Sequence, residues 1–219
     1  MGLDWLPGNK PKPGFEPEFK QIFDKLTEPK DGTSSELPDE EKNALEERFF
    51  EISISAFETL QAPVVGQDAA ADNWAREFRR SENPDFTEEQ LENALREAAG
   101  YRVLDLLPPC DGIPVYSNAP MGHVEAYSFR AEFLTDCAEI IGETLLDRAY
   151  LPMMPDEFLA YGRDLLGKAE DYASRHGLDI DNLDTEDADG IQFQVHVVLS
   201  AGRWCVYWAE REHWMEAYW

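Results

Sequence analysis

Positive charge is what this 219-residue sequence most conspicuously lacks. Nineteen Lys and Arg stand against 45 Asp and Glu, a formal net charge of −26, and only seven of the cations are Lys. Tight nucleic-acid binding draws on clustered cations that displace counterions from phosphate, so that class is excluded. Anionic membrane surfaces are excluded for the same reason. Long apolar runs are missing too: no window approaches the roughly 20 residues of a membrane-spanning helix. The opening Met1-Gly2-Leu3-Asp4-Trp5-Leu6 has neither the basic start nor the apolar stretch of a secretory leader, and Leu6 stands where myristoylation requires Ser or Thr. A cytoplasmic, soluble protein is the expectation.

Chemistry-bearing residues are equally sparse. Cys110, Cys137 and Cys205 are odd in number and widely spaced, with no Cys-x-x-Cys, so they form neither a disulfide framework nor a zinc or redox motif. The four histidines, His123, His176, His196 and His213, show no metalloprotease spacing. Phosphate-binding, dinucleotide-binding and nucleophile-elbow glycine motifs are absent. No metal and no cofactor is expected.

What is present is core material: 43 % hydrophobic and 12 % aromatic residues, too much for a disordered chain. Prolines and glycines at Pro7, Gly8, Pro11, Pro13, Gly14 and Pro17 make residues 1–17 an extended arm, which Trp5, Leu6 and Phe15 dock onto something. Phe19, Ile22, Phe23 and Leu26 have helical spacing. A second helix opens at Pro38 with Asp39, Glu40 and Glu41, and its stripe of Leu45, Phe49, Ile52, Ala56 and Leu60 carries it through the alternating Ile52-Ser53-Ile54-Ser55. Trp74 and Phe78, four apart, mark a helix over 69–80. Thr87 and Gln90 form a capping box, with Phe86 and Leu91 as a hydrophobic staple. Helix is expected from Phe129 to Arg148, and again from Pro155 to Gly177. Alternation of Ile191, Phe193, Val195, Val197 and Leu199, a turn at Ser200-Ala201-Gly202, and alternation of Trp204, Val206 and Trp208 read as a β-hairpin. The predicted fold is α+β: one mostly helical domain over 18–219, with a small antiparallel sheet built around that C-terminal hairpin, for which Ile113–Tyr116 is the candidate third strand.

Candidate sites lie in gaps in the charge. Segment 106–124 has four prolines, two glycines and one formal charge, Asp111. There Cys110 is a candidate nucleophile and His123 its base, with Asp111 or Asn118 orienting the imidazole; Tyr116 and Ser117 complete a ligand-contacting set. The bland alternative is a Pro-rich crossover with turns at Asp111-Gly112 and Ser117-Asn118. The acidic stretch Asp179, Asp181, Asp184, Glu186, Asp187 and Asp189 fails EF-hand spacing, because Leu183 or Asp189 falls where a ligand or glycine is required, so it reads as a solvated linker. At the C-terminus, Trp204 and Trp208 read as core. Trp214, Tyr218 and Trp219, beyond the alternation, are the interface candidates.

Residues 31–60 carry nine acids and two bases and residues 151–190 eleven acids and three bases, whereas residues 1–30 are neutral. The leading functional expectation is a non-enzymatic acidic binding protein of inhibitor or immunity type that covers a basic protein. One alternative is an enzyme or small-molecule binder centred on Cys110 and His123. Another is an acidic surface adapted to high salt, consistent with seven Lys beside twelve Arg.

Overall fold

The structure, a computed structural model, describes residues 2–27, 38–107, 128–187 and 190–219. Two extended stretches, β1 (Asp4–Pro7) and β2 (Lys10–Pro11), lead into α1 (Glu16–Thr27). Helix α2 (Asp39–Glu51), strand β3 (Ser53–Ile54) and the short α3 (Ala56–Leu60) follow. Next come α4 (Ala69–Glu82) and α5 (Glu88–Glu97). A 3-10 stretch over Ala131–Cys137 precedes α6 (Ala138–Ile141), α7 (Glu143–Arg148), α8 (Pro155–His176), α9 (Ile191–Ala209) and β4 (Met215–Tyr218). The fold is α+β and mostly helical, with small antiparallel pairings. Its contacts fall into two compact units, residues 1–56 with 111–219, and residues 57–110.

In the first unit, α8 and α9 form the core pair. Gly162 and Gly202 let their backbones approach: a Cβ on Gly162 would lie 2.6 Å from Cys205 Cβ, and one on Gly202 would lie 2.7 Å from Leu166 Cγ. Trp204 lies at the centre of an aromatic cluster, 5.8 Å from Trp5, 6.2 Å from Phe129 and 5.5 Å from Phe158 between ring centroids. All four side chains are fully buried. Trp5 reaches this cluster from the N-terminal arm and donates its indole N–H to the Ala149 carbonyl at 2.8 Å. β1 pairs antiparallel with β4, from Asp4 opposite Tyr218 to Pro7 opposite Met215. Phe129 bridges to Trp5 on one side of this sheet and Met153 to Met215 on the other, so both edges have backbone partners. A second cluster, Phe19, Ile22, Phe23, Phe49 and Ile52, joins α1 to α2.

Three expectations are corrected. The hairpin over 191–208 is the single helix α9. A half-buried strand hides every second residue, but here Val197 through Gly202 are all buried in succession. A helix apolar nearly all round belongs in the middle of a core, and Gly202 is a packing contact rather than a turn. The sheet therefore joins the chain's distant ends instead of growing from a hairpin. The helix drawn through 52–55 stops at Glu51. Lys10 and Pro11 pair with Ile54 and Ser53, Lys12 N–H donates to the Ile52 carbonyl at 2.7 Å, and the Ser53 hydroxyl donates to the Phe49 carbonyl. The arm thus captures a β-branched stretch from the end of the helix. The continuous helix over 129–148 is a 3-10 stretch and two short helices, broken at Gly142, whose φ is +78°. Of the expected apolar face, Cys137, Ile140, Ile141 and Leu145 are buried, but Phe133 is exposed and Leu134 is buried instead, because the 3-10 winding turns that stretch off helical phase.

The second unit is built on an antiparallel pair. Ion pairs Arg76–Glu92 (2.7 Å) and Arg80–Glu88 (2.6 Å) cross from α4 to α5. The Thr87–Gln90 capping box opens α5, with both reciprocal hydrogen bonds present. Val65, Ala71, Ala75, Leu95 and Val103 form its small core.

Candidate functional site

The α4–α5 pair leaves an open groove of about 240 Å³. Its floor is made of small side chains, Ala75 on α4 with Ala94 and Ala98 on α5, and leucines Leu91 and Leu95 close the α5 side. Trp74 and Phe78 form the α4 wall, their rings stacked at 5.3 Å and 10°. Tyr101 extends the stack from Trp74 at 6.1 Å and 14°. Phe78 and Tyr101 are 46 % and 57 % exposed, high values for side chains this size lining one concavity.

Local chain chemistry builds the closed end. Segment 63–65 pairs with 100–103: Val65 N–H donates to the Tyr101 carbonyl, Gly100 N–H to the Val65 carbonyl and Val103 N–H to the Pro63 carbonyl, all within 2.8–2.9 Å. Gly100 has φ +91°, in the region that favours glycine, and directs the chain from α5 back toward this pairing. Asp68 accepts from Val64 N–H and Asp72 from Gly66 N–H, both at 2.7 Å, which pins the turn before α4. The cross-helix ion pairs lie on the other side of the hairpin from the aromatic wall. Bonding to Glu92 holds the Arg76 guanidinium above its usual pKa range. Arg79, at the groove's edge, is paired with Glu82 at 2.9 Å.

Of the residues proposed from sequence, Cys110, Asp111, Tyr116, Ser117, Asn118 and His123 lie outside the described residues, as does the suggested strand Ile113–Tyr116. The C-terminal aromatics separate. Trp214 is half-buried in the first unit, edge-on to Phe23 at 4.8 Å and lying over Gly8, where any Cβ would collide with the indole. Tyr218 and Trp219 are 67 % and 66 % exposed, with Trp219 edge-on to Tyr150 at 6.3 Å. Trp204 and Trp208 are core, on a helix rather than a strand.

The described thiols are poor nucleophiles. Burial, and secondarily Asp136, pushes Cys137 up to about 12, and burial pushes Cys205 well above the usual thiol range. His213 is fully buried, its Nδ1 2.6 Å from the Gly8 carbonyl. In the acidic stretch the carboxylates serve turns: Asp179 accepts from Asp181 N–H and the Asn182 amide, and Asp184 from Glu186 N–H. Among the described residues no three Asp, Glu, His or Cys converge as a metal site, and no helix is long and apolar enough to cross a membrane.

The groove escaped the sequence reading although half of it was in view. Trp74 and Phe78 marked one helix and the Thr87–Gln90 capping box the start of the next, but nothing in either signal brought the two together around a cleft. Tyr101 had no periodic signal, because it is placed by the 63–65 pairing. No family model, no curated protein and no solved structure matches the chain.

Proposed function

We propose that this chain is a non-enzymatic binding protein of the cytoplasm, and that it covers a basic protein in the manner of an inhibitor or immunity protein. The observation that carries this reading is the charge: 45 acids to 19 bases. A field of that size steers an oppositely charged surface into encounter and disfavours acidic competitors. It argues equally against nucleic acid and anionic membrane as partners. Cys137 and Cys205 remain free thiols in the core, which suits a reducing compartment. Capture from host lysate at low and high salt tests the reading. Strongly basic proteins are expected at low salt and are lost at high salt; recovery of no basic protein at either salt overturns it.

The scarcity of Lys favours a second reading, in which the acids keep the protein hydrated in concentrated salt and imply no partner. Stability that climbs steadily into molar KCl supports it, and stability unchanged from dilute buffer rules it out.

A further inference from the structure

We propose that the groove between α4 and α5 is the docking site for a basic amphipathic helix of a partner protein, whose large apolar side chains seat between Trp74, Phe78 and the Ala94–Ala98 floor. This rests on the acidic-binder reading and assigns it a surface. The first support is the groove itself, a concavity of about 240 Å³ with exposed aromatic rings for a wall, small side chains for a floor and no uncompensated cation. An apolar helix face presents anchors at helical spacing that fit such a cleft.

Charge complementarity selects the partner's sign. At about 100° per residue, Glu77 lies roughly 60° round α4 from Trp74, on the side away from Ala75. Glu97 lies roughly 60° round α5 from Ala94, on the side away from Leu91. Both acids are therefore placed beside the groove, outside its lining, one on each helix. Both are exposed, and neither has a hydrogen bond or ion pair among the described residues. By contrast, the arginines of α4 are already engaged by Glu82, Glu88 and Glu92. An apolar cleft between unpaired carboxylates matches an apolar ridge flanked by Lys or Arg, and repels an acidic helix or a second acidic copy of this chain.

The test titrates the full chain with two synthetic peptides of equal length and charge in about 0.3 M NaCl, where the screening length is below 8 Å. One peptide is Leu/Lys with its leucines at helical spacing, and the other is Lys/Ser with no apolar face. Wild type is expected to bind the Leu/Lys peptide in preference. Phe78→Ala, which removes an exposed wall, and Ala94→Trp, which fills the floor, each weaken that binding by about tenfold or more, with unchanged far-UV dichroism and unchanged weak binding of Lys/Ser. Glu77→Gln with Glu97→Gln weakens it several-fold and flattens its salt dependence. Equal binding of the Leu/Lys peptide by wild type and both groove variants overturns the groove while leaving the acidic-binder reading intact. Binding of neither peptide by wild type overturns the groove, and binding of neither in dilute buffer as well overturns the acidic-binder reading with it. Self-association of wild type that Ala94→Trp abolishes assigns the groove to a second copy, and also overturns the proposal.

Discussion

His213 is a neutral imidazole held where a charged one does not fit. Its ring is fully buried, edge-on to Trp208 at 5.2 Å and bonded to the Gly8 carbonyl. Burial lowers its pKa from 6.5 to about 4, helped by nearby Lys10 and Arg211 and opposed by the Gly8 bond. Below pH 6.5 the unfolded chain therefore takes a proton that the folded chain refuses until about pH 4. Stability is lost as pH falls through that window, by an amount on the order of 3 kcal/mol from this one group. Denaturant titrations at stepped pH should show wild type losing about that much more than His213→Gln between neutral pH and pH 4. Identical pH slopes in the two proteins would remove His213 from the account. The same residue explains a limit of sequence reading. Nothing in Glu212-His213-Trp214 reveals that its partner is an N-terminal carbonyl more than 200 positions away.

At the scale of elements, the two interior glycines of α8 make opposite predictions. Gly162 faces Cys205 and the backbone of α9 at close quarters, so Gly162→Ala forces the pair apart and costs about 1–3 kcal/mol. Gly167, five residues along the same helix, has open space where its Cβ would go, so Gly167→Ala stabilises by about 0.5–1 kcal/mol through helix propensity alone. Thermal melts of the two variants should move in opposite directions. A shift of both in the same direction would mean that the α8–α9 approach does not depend on Gly162. These elements also show what was legible. α8 announced itself at both ends, with Pro155 in the first turn and Gly177 in the left-handed cap at φ +66°. α5 announced itself through Thr87 and Gln90. In each case the signal is local and the hydrogen-bond partners lie within a turn. α9 was misread because Val, Phe and Trp in alternation satisfy both a strand and a helix buried on most sides, and only the neighbouring α8 decides between them. Ile52–Ser55 was misread for a related reason, since its strand partner lies in the arm. The groove follows the same rule: its helical walls could be read, whereas its closed end, made by Val65 and Tyr101, required a tertiary pairing.

Across the whole molecule, the charge and the packing are divided differently. Residues 57–110 hold five bases and eleven acids, a net of 5 − 11 = −6, and the remaining residues carry −26 + 6 = −20. Per residue the two units are about equally acidic, one net negative charge in about nine residues against one in about eight, so the groove shares the general acidity of the chain, and most arginines around it are already paired. The N-terminal arm belongs to the core of the other unit. It supplies Trp5 to the central aromatic cluster, β1 to the sheet and Gly8 to both Trp214 and His213. Removing residues 2–8 is expected to abolish cooperative unfolding, read as loss of a sigmoidal melt and of near-UV dichroism. A truncated chain that melts within a few degrees of wild type would show the arm to be an accessory.

The pairing of β1 with β4 also has a consequence in time. These strands are separated by some 210 residues of chain, and synthesis proceeds at about 5–20 residues per second. β1 therefore waits on the order of 10–40 s on the ribosome before its strand partner exists. Trp5 has no partner from the central aromatic cluster until Phe129 is made, and β1 has no strand partner until β4 is made. The strand pairing is complete only once β4 has emerged, so nascent chains stalled short of β4 are where aggregation or chaperone capture should concentrate.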